Sequence, residues 1–90
     1  MQIQVSGKDI DLGDALKSHV DERMNDAIHK YFGREAEGHV TFSREGIGFR
    51  CDSTVHLSSG ILLKAQGEAG EIYSSFEDAL TKMEKRVRRY

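Results

Sequence analysis

Met1, Ile3 and Val5 alternate with Gln2, Gln4 and Ser6, the period of two that a half-buried strand produces. The pattern then changes. Leu12, Ala15, Leu16, Val20, Met24, Ala27, Ile28 and Tyr31 recur at three- and four-residue steps, so a long first helix is expected, with Asp11 as its N-cap, Gly13 in its first turn and Gly33 as its stop. Residues 34–38 are polar and read as a connecting loop. Val40 and Phe42 resume the alternation, and Arg44-Glu45-Gly46 reads as a turn. Beyond it Ile47, Phe49, Cys51, Val55 and Leu57 share one face, interrupted by Ser53, while Arg50, Asp52, Thr54 and His56 share the other. Ser58-Ser59-Gly60 predicts a second hairpin turn. Ile61, Leu63 and Ala65 then oppose Leu62, Lys64 and Gln66, and residues 67–70 lead out of that strand. The last stripe is Ile72, Phe76, Leu80, Met83, Val87 and Tyr90, with Ala79 beside it, which predicts a final helix over 71–90.

The predicted order is β-α-β-β-β-α. Hairpins make the last three strands antiparallel, and the first strand, reaching the sheet through a helix, can pair parallel to a neighbour. A four-stranded mixed sheet with both helices on one face buries every apolar stripe and leaves the other face wet. The fold class is therefore α+β, a two-layer sandwich. With 90 residues, no internal repeat and no linker, residues 1–90 form one domain.

Charge alters this picture at one place. The net charge of −2 argues against a nucleic-acid ligand, yet residues 82–90 hold Lys82, Lys85, Arg86, Arg88 and Arg89 against the single acid Glu84. Local fields decide partners, because charges further apart than about 8 Å are largely screened at physiological salt. Projected at about 100° per residue, Arg86, Lys82 and Arg89 fall on one side of the apolar stripe, and Lys85 falls at the back of the helix, so the helix has a basic edge. Glu77 and Glu84 fall on the other side of the stripe, and Arg88 goes with the acids. On the first helix Arg23 and Lys30 border the stripe, with His19 near and Asp26 diluting them. If the two basic borders face each other, one continuous positive surface results. The plain alternative is a solvated face whose last-turn cations complement the helix dipole. Arginine favours the ligand reading, since its planar fork grips phosphate oxygens in pairs.

The remaining chemistry is sparse. His19, His29, His39 and His56 lack the close spacing of a metal site, and no glycine-rich phosphate loop opens a helix. Cys51 reads as a core residue. The acids single out no general acid and base, so neither catalysis nor a cofactor or metal is expected. The only place for an enzyme site would be the polar sheet face of Arg50, Asp52, Thr54, His56 and Lys64. A single cysteine, an opening strand where a secretory signal would stand, and no apolar run approaching the roughly 20 residues that span a bilayer predict a cytoplasmic protein.

Three stretches carry a resemblance: Met1-Gln2-Ile3-Gln4-Val5-Ser6-Gly7, the Ala15-Leu16 and Tyr31-Phe32 ends of the first helix, and Glu71-Ile72-Tyr73-Ser74-Ser75-Phe76-Glu77-Asp78-Ala79 with the basic run from Lys82 to Tyr90. Together they resemble the ribosome hibernation-promoting factors, over essentially the whole chain and in matching order. The resemblance implies a fold similar to double-stranded RNA-binding domains. It implies binding to the small ribosomal subunit and its rRNA, where mRNA and tRNA pass, and silencing of ribosomes under stress or in stationary phase. It is strongest to the amino-terminal domain of the long form, so these residues read as a fragment of a longer chain, with ribosome dimerisation left to a further C-terminal domain. The RNA-facing positions it implies are Arg23 and Lys30 on the first helix, Lys82, Lys85, Arg86, Arg88 and Arg89 on the last, and Lys64 on the sheet. Arg50 and Arg44 could extend them. Asp26 and His29 stand where many relatives carry basic or amide residues. The alternative is a protein-binding regulator, such as a modulator of an alternative sigma factor.

Overall fold

The computed structural model describes residues 1–32 and 35–90. Its elements are β1 (Gln2–Gly7), α1 (Asp14–Phe32), β2 (Ala36–Glu45), β3 (Gly48–Leu57), β4 (Leu62–Ala69) and α2 (Ile72–Arg89). The sheet order is β1-β2-β3-β4, with β1 parallel to β2 and the other pairs antiparallel. This is the α+β sandwich that the pattern predicts, and it supplies the missing partner of β1. Val5 lies opposite Val40, so the inward residues of the two strands share a face.

The core forms where the two helix stripes meet the inward side of the sheet. Val20, Met24 and Ile28 of α1 and Phe76, Leu80 and Met83 of α2 are almost wholly buried with Val40, Phe42, Cys51 and Val55. Ser53, the one polar residue on that side of β3, donates its hydroxyl to the Ala65 carbonyl at 3.4 Å. Its burial leaves no orphaned polar group.

Local boundaries differ from expectation in four places. The first helix starts at Asp14, and Gly13, not Asp11, receives its first backbone bond, from the Lys17 N–H at 3.2 Å. A glycine disfavoured inside a helix stands just before it. Gly33, the expected stop, lies outside the described residues. The polar stretch expected as a loop is largely strand from Ala36 on, because Ala36 and Gly38 are buried and alternate with exposed Glu37 and His39. Small side chains hid a period of two there. A Cβ at Gly38 would stand 2.6 Å from Cδ1 of Ile3 on the neighbouring strand, the movable end of a side chain. Ile47, expected inward, is fully exposed: the β2–β3 turn is Gly46-Ile47, with positive φ at Gly46 (58°) in the manner of a type II′ hairpin.

The fourth difference positions the site. β4 does not end before Gly67 but runs through it to Ala69. Gly67 is buried under α2, where a Cβ would fall 2.5 Å from the Ser75 carbonyl oxygen and 2.9 Å from the Asp78 Cβ. The missing side chain lets the helix backbone settle directly on β4. Facing Ala79 is fully buried for the same reason.

Candidate nucleic-acid interface

Seating α2 on β4 fixes which way its two flanks point. Phe76, Ala79, Leu80, Met83 and Val87 go down into the core. One flank then overhangs β4, the edge strand of the sheet, and the other faces α1.

On the β4 side Lys82, Lys85, Arg86 and Arg89 line an open groove of about 540 Å³, floored by Leu63 and Ala65 and closed at its end by Tyr90. Gln66 stands on the strand side of this groove. Arg86 also borders a second depression, around the edge of the strand, lined by Lys64, Gln66, Thr54 and Arg50. Five of the predicted cations therefore gather around one strand edge: Lys64, Lys82, Lys85, Arg86 and Arg89. Among the described residues only Lys82 of these five pairs with an acid, Asp78 at 3.1 Å. That pair and the Glu68 N–H hold the Asp78 carboxyl below its usual range. Arg50 pairs with Asp52 at 3.1 Å and also donates to Gln66, so its charge is partly spent within the sheet face.

The opposite flank carries Glu77, and there the expected surface breaks. Glu77 accepts from Arg23 Nη2 at 2.8 Å and Nε at 3.4 Å, and its other contact is His19 Nε2 at 3.2 Å. The hydrogen bond from Arg23 is the main cause that holds the Glu77 carboxyl below its ordinary value, against the opposing effect of partial burial. The basic border of α1 thus meets the acidic flank of α2, and Arg23 is not continuous with the basic edge. The helices run side by side in one direction, His19 lying against Tyr73 and Phe76 at one end and Phe32 against Tyr90 at the other. Lys30 lies near the end of α1 with its Nζ 5.4 Å from the centre of the Tyr31 ring, and neither it nor Arg88 lines the groove.

The sequence of residues 3–90 matches the family described as Sigma 54 modulation protein / S30EA ribosomal protein. The chain belongs to this family. Relatives include the ribosome hibernation promotion factors of Bradyrhizobium diazoefficiens, 42% identical over the whole chain and 44% of the relative, and of Rhizobium meliloti, 38% identical over the whole chain and 47% of the relative. The chain spans about half the length of these curated relatives. Two solved structures share the fold at 24% identity. One is the Thermus thermophilus Protein Y N-terminal domain, with a TM-score of 0.86 over 99% of this chain and 98% of that one. The other is a Coxiella burnetii ribosomal subunit interface protein, with 0.83 over 100% and 97%.

Within this S30EA domain, sequence reasoning missed Tyr90, Leu63 and Gln66 as groove-lining residues. Their signal was the β3–β4 register together with Gly67, which brings α2 down at the sheet edge. Arg44 lies elsewhere, 5.4 Å over the Phe49 ring near the β2–β3 hairpin. Of the sheet-face residues considered for catalysis, Arg50, Asp52, Thr54 and Lys64 line one shallow depression, where Arg50 is bound to Asp52, and His56 is not part of its lining. Burial pushes the Cys51 thiol up to about 12, so it stays protonated and unreactive at neutral pH. Among the described residues no helix is long and apolar enough to cross a membrane.

Proposed function

We propose that this domain binds the small ribosomal subunit through rRNA phosphates held along the α2–β4 groove, and that its folded body then fills space that mRNA and tRNA need. Bound in this way it inhibits translation and promotes ribosome hibernation under stress or in stationary phase. The observation that carries this reading is the gathering of Lys64, Lys82, Lys85, Arg86 and Arg89 around one strand edge. Membership in a family described as an S30EA ribosomal protein supports it, as do the names of the relatives. Lysine and arginine anchor the protein without reading sequence, since phosphate contacts position a nucleic-acid complex whereas base contacts specify it. Ribosome dimerisation belongs to this function only in a chain that carries a further C-terminal domain.

Replacing Lys82, Lys85, Arg86 and Arg89 by glutamine tests the reading. These residues are exposed, so the fold survives. Binding to small subunits should fall by orders of magnitude, and its salt dependence should flatten by roughly 0.7–0.9 in log-log slope for each lost phosphate contact. Co-sedimentation unchanged by the four substitutions refutes it. Arg23→Gln serves as the contrasting variant, because Arg23 is committed to Glu77.

A further inference from the structure

The groove has a second property that phosphate binding does not use. β4 is an edge strand, and no other strand covers its outer side among the described residues. The direction of its backbone groups follows from the hairpin: Leu57 donates to the Ile61 carbonyl at 2.9 Å, and paired residues alternate from there along an antiparallel ladder. Leu63, Ala65 and Gly67 therefore spend their N–H and C=O groups on β3, whereas Lys64, Gln66 and Glu68 turn theirs outward. Glu68 agrees with this, because its N–H donates to the Asp78 carboxylate at 3.1 Å. Asp78 of α2 thus covers one end of the edge. The outward groups of Lys64 and Gln66 remain open to a partner.

We propose that this edge accepts an extended, acidic peptide segment as a fifth strand, its backbone paired with Lys64 and Gln66 and its carboxylates held by Arg86 and Lys82 on one side and Lys64 on the other. An exposed strand edge is a template for strand addition, in which main-chain bonds give affinity and alternate side chains give selectivity. The α2 side of the edge is basic, and on the outer side Lys64 stands beside the Arg50–Asp52 pair. Between the cations lie Leu63 and Ala65 on the groove floor and Leu62, 48% exposed, on the outer face, which suits aliphatic residues interleaved with the acids.

The outward carbonyls of Lys64 and Gln66 favour a peptide backbone over RNA phosphates as the group paired to the edge itself. Phosphates offer acceptors only and would meet those carbonyls unfavourably, whereas a peptide backbone presents a donor and an acceptor in alternation. A second copy of the chain pairing β4 to β4 would bring Lys64 and Arg86 of both copies together, and that repulsion disfavours it. The segment would share Arg86 and Lys82 with the proposed RNA surface. An acidic strand and the ribosome then compete for one edge.

The test uses the isotope-labelled chain and an eight-residue peptide of alternating glutamate and valine. This peptide should slow hydrogen exchange of the Lys64 and Gln66 amides at least tenfold. It should also bind at least tenfold more tightly than versions of itself N-methylated at every second residue, in either register, which keep the charge and lose the donors. A Gln66→Pro variant removes the protein's own outward donor without taking a bond from the β3 ladder, and should weaken binding similarly. If that variant fails to fold, the comparison of the peptides still stands. Equal affinity for the methylated peptides, absence of amide protection, or protection produced by a uridine octamer and not by the peptide would each overturn the proposal. Ribosome co-sedimentation fails or succeeds independently, so loss of the RNA reading is distinguishable from loss of this one.

Discussion

Gly67→Ala adds one methyl group at the point where α2 rests on β4. The new Cβ meets backbone rather than a flexible side chain, 2.5 Å from the Ser75 carbonyl oxygen, with the Asp78 Cβ at 2.9 Å. Atoms at these distances must separate, so the helix has to rise from the strand or slide along it. Overpacking of this kind costs about 1–3 kcal/mol, and the upper half of that range applies because neither backbone can rotate away. A more restricted unfolded chain returns about 0.4–1 kcal/mol. The net loss is then about 1–2.6 kcal/mol, which for a domain of this size lowers the melting temperature by roughly 4–20 °C. Gly70→Ala, three residues along, meets nothing within 4 Å and serves as the internal control. Thermal unfolding followed by circular dichroism measures both. Equal melting temperatures for the two variants would refute the close-packing explanation of Gly67.

Three further outcomes follow from the same geometry. Glu77→Gln should destabilise the domain by about 0.2–1 kcal/mol, since the Arg23–Glu77 pair is partly exposed. Because the folded carboxyl titrates below its ordinary value, that stabilisation is complete above the unfolded value and fades as pH falls through the folded one. The difference between the two proteins in urea titrations should therefore be full near neutral pH and shrink as pH falls below the ordinary glutamate value of about 4.3, and a difference that does not shrink there would contradict the pairing. Arg86→Gln should weaken ribosome co-sedimentation several-fold while Arg23→Gln leaves it within twofold; the reverse order would move the interface to α1. Cys51 should resist thiol reagents at pH 8 in the native protein and react only as fast as the core opens, so rapid labelling under native conditions would show that β3 is less protected than its burial indicates.

The elements were legible because their apolar periods are clean: α2 repeats at helical spacing from Ile72 to Val87, and β3 alternates from Phe49 to Leu57. Legibility failed where side chains were small or absent. Ala36 and Gly38 carry too little apolar surface to mark the start of β2, and Gly67 reads as a strand end although it is the point of closest helix contact. For the candidate site, the segregation of charge on α2 was readable from angular spacing alone. Which flank faces α1 was not, because spacing around one helix carries no information on how two helices lie across a sheet. A usable signal existed in complementarity: Arg23 and His19 on one border match Glu77 on the other, whereas joining the two basic borders would have set like charges side by side.

The two flanks of α2 consequently serve different ends, and the division explains a distribution that net charge conceals. Glu77 is used inside the fold, where two donors from α1 neutralise it, so its negative charge contributes little to the outer field. Among the described residues, the cations of the β4 flank have one internal acid between them, Asp78, and Asp78 is itself bound to the Glu68 N–H. Their charge faces solvent without a matching negative patch. With a short screening length, a ligand at the groove meets these cations and not the acids on the far side of α1. A chain of net charge −2 can thereby hold an anionic ligand at one edge while its acidic remainder turns away from it. The same separation leaves Arg23 free to stabilise the helix pair without drawing charge from the proposed RNA surface.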